Sequence, residues 1–236
     1  MKVKDFRKKA WEACKGNWGN LILVLVINFA LIAVCGLLGI ILGRITRIII
    51  TLLFYPTIAQ TIEWYVTNLS IILIYGHIIY GEAVFFSNFM RDGSEQVSDL
   101  FSGFKKYGKV FKLYFLIQLY TTLWSMLYCI PGIIRGIAYS MSYYIMNDNP
   151  DMTPKEVIKH SIKITDGYKG KYFCLQISFI GWLLLCILSL GILTIWIAPV
   201  IAASNAAFYE YVKTMYEQSL NENTQEELVE NFIGKK

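Results

Sequence analysis

Histidine is almost missing from this 236-residue chain, which has only His77 and His160. No HExxH, GxSxG, phosphate loop or acidic metal cluster occurs either. Catalysis needs a convergent nucleophile and base, or a set of metal ligands, so the chain reads as a non-enzyme with no metal and no cofactor. Cysteine is sparse as well. Cys14, Cys35, Cys129, Cys174 and Cys186 stand singly with no CxxC pair, which argues against a thiolate metal site or a disulfide framework and leaves small packing residues. Charged residues are only 17% of the chain against 56% hydrophobic. Most of such a chain must be dissolved in lipid.

What charge there is follows a pattern. Of 22 Lys and Arg residues, all but Arg44, Arg47 and Arg135 fall in residues 1–20, 91–112, 155–171 and the C-terminal region. These basic segments alternate with long apolar runs, so every second gap is basic. By the positive-inside rule the basic side is cytoplasmic and both termini lie there, in a cell membrane. The net charge of +5 is split among these flanks and forms no continuous stripe, so anionic lipid headgroups are the expected partner and nucleic acid is not. Lys8, Lys9, Lys15, Lys105, Lys106, Lys169 and Lys171 are the expected headgroup contacts.

A membrane helix needs about 20 apolar residues to cross a ~30 Å core. The expected architecture is all-α, a polytopic protein of about six transmembrane helices arranged as three hairpins with amphipathic cytoplasmic helices. Crossings are expected near 21–43, 69–90, 110–130, 133–147, 172–190 and 192–215, after an amphipathic helix at 3–16. The run from Leu21 is too long for a cleaved signal, so it reads as a retained first helix. Residues 44–68, broken by Pro56 and bracketed by Arg47 and Glu63, are expected as an interfacial segment, or as a helical extension past the outer surface. Residues 217–236 are expected as a solvated cytoplasmic tail.

Punctuation along the chain suggests further detail. Pro131-Gly132 reads as the reversal between two crossings, with Arg135 close to the outer boundary. Asp148-Asn149-Pro150 reads as a helix stop, and Thr153-Pro154-Lys155-Glu156 as a capping box. Gly39-x-x-x-Gly43 and Ser178-x-x-Gly181 offer smooth faces for close packing. Val3–Trp18, Val97–Phe111 and Pro154–Phe173 each begin amphipathically and end in Lys, Gly and aromatics, a weak threefold repeat of amphipathic helix, bend and hairpin.

Counting inward from each basic boundary puts Asn28, Glu82, Gln118, Ser140 and Asn205 at one depth, about 10–15 Å in, with Gln176 and Ser178 slightly shallower. A carboxyl there costs on the order of 2.5–3.5 kcal/mol, so Glu82 should face the bundle interior or a watery cavity, or carry a proton. Two readings stay open for this layer: a midplane site for a substrate or proton, or amides that only glue helices together at ~0.6 kcal/mol each. His77, five residues from Glu82, points about 140° away and reads as a packed histidine. His160 reads as solvated.

From Leu100 to Tyr209 the chain resembles a bacterial integral-membrane family of unknown function, DUF nine-seventy-five, found mainly in Gram-positive organisms. The elements that carry the likeness recur in order. They are Leu100-Phe101-x-Gly103-Phe104, Trp124 with Leu127, Ile130-Pro131-Gly132-Ile133, Tyr139-Ser140-Met141, Asp148-Asn149-Pro150, Gly167-Tyr168-Lys169, Leu175 with Ser178-Phe179-Ile180-Gly181-Trp182, Gly191-Ile192, Pro199 and Phe208-Tyr209. The resemblance implies a multi-helix membrane protein and no particular activity. Two functional expectations follow: a non-enzymatic protein serving membrane homeostasis, assembly or partner recruitment at the inner leaflet, or a small transporter or channel-like protein using the polar layer. Association with itself or with another membrane protein is compatible with either.

Overall fold

The computed structural model describes residues 2–53 and 56–233, and among these every element is a helix. In order they are α1 (Val3–Cys14), α2 (Trp18–Leu53), α3 (Pro56–Asp92), a 3-10 turn (Val97–Phe101) running into α4 (Ser102–Lys105), α5 (Tyr107–Leu127), α6 (Cys129–Tyr139), α7 (Ser142–Asp148), α8 (Pro154–Ile164), α9 (Lys169–Ile177), α10 (Ile180–Leu188) and α11 (Thr194–Ile233). Among the described residues, four segments are long and apolar enough to cross a membrane: Trp18–Leu52, Pro56–Asp92, Tyr107–Leu127 and Lys169–Leu188. Large apolar side chains are exposed along α2, α5 and α10, including Phe29, Leu37, Phe115, Leu123, Leu184 and Ile187. Water would penalise that much exposed hydrocarbon, whereas a bilayer accepts it. The chain is a helical membrane protein.

Burial separates inner from outer helices. The second half of α3, all of α7 and the middle of α11 supply most of the core, with Tyr80, Phe85, Phe86, Met141, Ile145, Met146, Phe208 and Tyr209 almost completely covered. The helices α2, α5 and α10 lie outside them and turn apolar faces outward. Hydrocarbon gives little drive for one apolar helix to leave lipid for another, so close fit must hold these helices together. Gly39 and Gly43 supply it between α2 and α3: a Cβ on Gly43 would lie 2.6 Å from the Thr67 hydroxyl, and one on Gly39 would lie 3.1 Å from the Thr67 carbonyl. The glycine pair therefore serves packing within the chain. Gly181 has open space around it and packs nothing closely.

Two helices are interrupted without proline or glycine. The chain breaks at Ser140-Met141, between α6 and α7, and at Ser178-Phe179, between α9 and α10. At each break the serine hydroxyl donates at 2.7 Å to a carbonyl three residues back, Ile137 in one case and Leu175 in the other. Such back-bonding competes with the helical ladder and loosens it.

The structure defines several boundaries. The stretch 44–68 is divided between the end of α2 and the start of α3, which run 36 and 37 residues. At about 1.5 Å per residue each is near 55 Å, well beyond a ~30 Å hydrocarbon layer. Arg44 and Arg47 both pair with Glu63 at 3.1 Å and clip the two extensions together. The reversal expected at Pro131-Gly132 occurs at Tyr128, the extended residue before α6. Pro131 then falls in the first turn of α6, where its missing N–H is not needed. Gly132 instead permits close contact with α5, since a Cβ there would meet the Ser125 hydroxyl oxygen. Residues 217–233, in the expected cytoplasmic tail, continue α11 as helix. The helix stop at Asp148 and the capping box at Thr153 are formed as read, with the Thr153 N–H donating at 2.7 Å to Glu156.

The three amphipathic segments dock on different helices. The 97–105 segment sits on α3, α8 sits across α5, α6 and α7, and α1 sits on α11. Each fit is specific. Gly81 lets α3 approach the Leu100 backbone, and a Cβ on Gly103 would lie 2.7 Å from the His77 carbonyl. Ser161 of α8 donates at 2.7 Å to the Ala138 carbonyl. Phe6 of α1 packs its ring 5.4 Å from both Phe208 and Tyr211. The Leu100-Phe101-x-Gly103-Phe104 sequence is thus a docking patch, and His77 is the buried residue it covers, stacked 4.1 Å from Tyr107 and 5.4 Å from Phe104.

Candidate functional site

The three inner helices line a half-open cavity of about 220 Å³. Its walls carry Glu82 from α3, Ser140 at the α6–α7 break, Tyr143 and Tyr144 from α7, and Asn205 from α11, with Tyr172 of α9 closing one side. Glu82 forms no ion pair or hydrogen bond among the described residues, so its carboxyl is left to the cavity. Asn205 is oriented, because its side-chain oxygen accepts from Gln176 at 2.8 Å. Ala202, Ala203 and Ala206 keep α11 narrow beside this space. Pro199 lies one turn above within α11, leaving the Ile195 carbonyl without its helical N–H donor.

Beneath the cavity, at the end of the bundle where the basic segments gather, lies an ionic cluster. Arg91 of α3 grips Asp148 of α7 through two hydrogen bonds, of 2.8 and 2.7 Å, and donates at 2.6 Å to Glu210 of α11. Lys213 and the Tyr209 hydroxyl reach the same Asp148 oxygen at 2.7 and 2.8 Å. The Asp148 side chain is only 8% exposed, while Arg91 and Lys213 are 25% and 35% exposed. Burial would raise the Asp148 pKa, but the hydrogen bonds from Arg91, Lys213 and Tyr209 outweigh it and hold the carboxyl below its ordinary range.

Cavity and cluster are in register. Arg91 follows Glu82 by nine residues on α3, Asp148 follows Ser140 by eight, and Lys213 follows Asn205 by eight. Each inner strand of helix therefore presents a polar group in one layer and a charge about 12 Å further on. Tyr144 joins the layers: it lines the cavity and stacks on Tyr209, whose hydroxyl binds Asp148.

Of the five residues expected at one depth, Glu82, Ser140 and Asn205 meet in this cavity. Gln118 is exposed on the outer face of α5, and Asn28, although buried on α2, is not among the lining residues. Depth along a helix does not determine which way a side chain faces, and these two face elsewhere. The tyrosines and the whole ionic cluster were missed. Tyrosine near a boundary reads as interface belt, and Asp148 reads as a helix stop.

The expected headgroup lysines divide similarly. Lys8, Lys9, Lys15, Lys105 and Lys106 are exposed. Lys169 pairs with Asp166 at 2.9 Å, and Lys171 donates at 3.1 Å to the Tyr211 hydroxyl while lying over the Tyr211 ring. His160 is not free in solvent: it is half-buried with its ring 5.5 Å from Tyr216, and burial followed by Lys163 lowers its pKa. Arg135 lies 4.7 Å over Trp124 and shares a groove of about 310 Å³ with Lys155 and Lys159 of α8. A groove that small brings Arg135 to the same region of the molecule as the basic helix α8.

The chain belongs to the family described as protein of unknown function (DUF975), whose profile matches residues 1–135 and 126–216. The match takes in the first hundred residues, beyond the stretch whose motifs carry the resemblance. No curated protein and no solved structure matches the chain.

Proposed function

We propose that the protein is a non-enzymatic, multi-pass protein of a bacterial cell membrane that binds and passes a proton or small cation through the cavity around Glu82. The observation that carries this reading is an unpaired carboxyl in a cavity that also presents Ser140, Asn205 and three tyrosines, with a salt-bridged cluster one layer further toward the basic segments. Oxygen donors and tyrosine faces around one carboxylate suit a cation. Helix breaks beside an intramembrane cavity are tolerated where they serve such a cavity. The Arg91–Asp148–Lys213 cluster ties α3, α7 and α11 together and acts as the latch.

In this reading six helical segments pair as three hairpins with both termini cytoplasmic, and the exposed lysines meet anionic headgroups on the inner leaflet. The charge pattern is met equally by a crossing hairpin or a re-entrant hairpin of α5 with α6 and α7, since both begin and end on one side. A second reading, in membrane homeostasis, assembly or partner recruitment, draws on the three docked amphipathic segments.

Reconstitution in liposomes tests the choice, with proton or potassium flux followed by an entrapped dye. Asp148→Asn should raise flux above that of the native protein, and adding Glu82→Gln should return it to the level of empty liposomes. Flux in Asp148→Asn no greater than in empty liposomes, with the protein folded, would remove the transport reading and leave the second.

A further inference from the structure

The docked helix α1 does not seal against its neighbours. Between it and α10–α11 runs a groove of about 380 Å³ with cations along one side and aromatic and aliphatic side chains along the other. Lys4, Arg7 and Lys8 supply the cations. Arg7 is held in place: one N–H donates at 3.2 Å to the Ser178 carbonyl at the α9–α10 break, and its guanidinium lies 5.7 Å over Phe179 and 5.8 Å over Trp182. A guanidinium fixed by one donor and two rings still has N–H groups to offer a doubly charged or bidentate anion.

Lys4 has no acidic partner among the described residues, and Lys8 meets only the exposed Glu12 at 3.8 Å. Trp11 and Trp182 meet edge to face at 5.9 Å, and Ile197 and Val200 of α11 complete the apolar side.

Charge at one side and hydrocarbon at the other is the shape of an anionic phospholipid. The apolar side adjoins the outward face of α10, where Ile180, Leu183 and Leu184 are 47–57% exposed and would meet acyl chains. The same construction recurs where α8 crosses the α5–α6 pair: Lys155, Lys159 and Arg135 face Tyr120 and Trp124 across the smaller groove. Two amphipathic helices, each packed on a different pair, therefore leave grooves of the same chemistry.

We infer that the α1 groove is a specific site for an anionic phospholipid, its phosphate held by Lys4, Arg7 and Lys8 and one acyl chain lying on Trp182, Ile197 and Val200. The inference rests on the proposed contact between the basic face and the inner leaflet, and gives that contact a defined location. It does not depend on what passes Glu82. Anionic selectivity comes from the three cations, and retention comes from the apolar wall.

The test is native mass spectrometry of the full chain released from nanodiscs of equal phosphatidylglycerol and phosphatidylcholine. The native protein should retain phosphatidylglycerol over phosphatidylcholine by about tenfold or more, as expected from the combined cations. The triple change Lys4→Gln, Arg7→Gln, Lys8→Gln should abolish that preference, whereas Lys105→Gln with Lys106→Gln should keep it. Val200→Trp, which leaves every cation in place and fills the groove, should reduce retention; this guards against misfolding of the triple variant. Glycerol phosphate in excess should not displace the lipid, because it lacks the acyl chain. Equal loss in the groove and Lys105–Lys106 variants would overturn the site while leaving diffuse headgroup contact intact. No preference in the native protein would overturn both.

Discussion

Tyr144 and Tyr209 stack nearly parallel, with 5.0 Å between ring centroids and 18° between planes, so a tyrosine pair links the wall of the Glu82 cavity to the ionic cluster. Only Tyr209 is anchored below, by its 2.8 Å hydrogen bond to Asp148. Removing the two hydroxyls should therefore have unequal effects. A hydrogen bond to a charged group contributes about 1.5–3 kcal/mol, so Tyr209→Phe should lower thermal stability in detergent by an amount near the lower end of that range. Tyr144→Phe should leave stability almost unchanged. Equal losses in the two variants would mean that the Asp148 bond contributes nothing beyond the ordinary cost of removing a buried hydroxyl.

Acid should weaken the latch. Asp148 has a folded-state pKa below its ordinary value of about 3.9, because three donors outweigh the effect of burial. A depressed carboxyl adds stability that is complete above the unfolded pKa and is lost as pH falls through the folded one. Melting temperature of the native protein should therefore drop below about pH 4, while Asp148→Asn starts lower and shows a shallower decline. Parallel curves for the two proteins would show that other carboxylates govern the acid response.

The docking of residues 97–105 on α3 makes a steric prediction. A Cβ on Gly81 would lie 2.0 Å from the Leu100 carbonyl oxygen, and backbone cannot move aside as a flexible side chain can. Gly81→Ala should cost at least the roughly 1–3 kcal/mol of ordinary overpacking and should make the 97–105 segment sensitive to protease. Gly36→Ala is the matched control, since nothing lies within 4 Å of its Cβ position. It should be neutral or slightly stabilising, as alanine favours helix. Comparable losses at the two glycines would point to helix flexibility in place of close approach.

How far the sequence could be read follows from what each signal measures. Charge alternation marks the boundary, and a residue count from that boundary measures depth, which is why Glu82, Ser140 and Asn205 could be aligned. The same count placed Asn28 and Gln118 beside them, yet facing depends on neighbours that a single helix does not reveal. The breaks at Ser140 and Ser178 carry neither proline nor glycine, and a serine that bonds back to its own helix looks like any other serine. The ionic cluster joins residues 57 and 119 positions apart. Nothing local in Arg91, Asp148 or Glu210 announces such partners.

Arg135 provides the sharpest test of how α5 and α6 are threaded. As a residue beyond the turn of a crossing hairpin it belongs at the far boundary, where its side chain could reach headgroups. In the folded chain it lies over Trp124 and lines one groove with Lys155 and Lys159. Those two lysines belong to a basic segment, which the proposed orientation puts on the cytoplasmic side. The groove's volume, about 310 Å³, leaves no room for a full hydrocarbon thickness of ~30 Å between them. The α5–α6 pair should therefore return toward the side it entered from. In a cysteine-free background, Arg135→Cys and Lys159→Cys should react with a membrane-impermeant maleimide from the same side, in inside-out vesicles and not in intact cells. Labelling of Arg135→Cys in intact cells, with Lys159→Cys protected there, would establish a complete crossing and require the groove to open in the membrane.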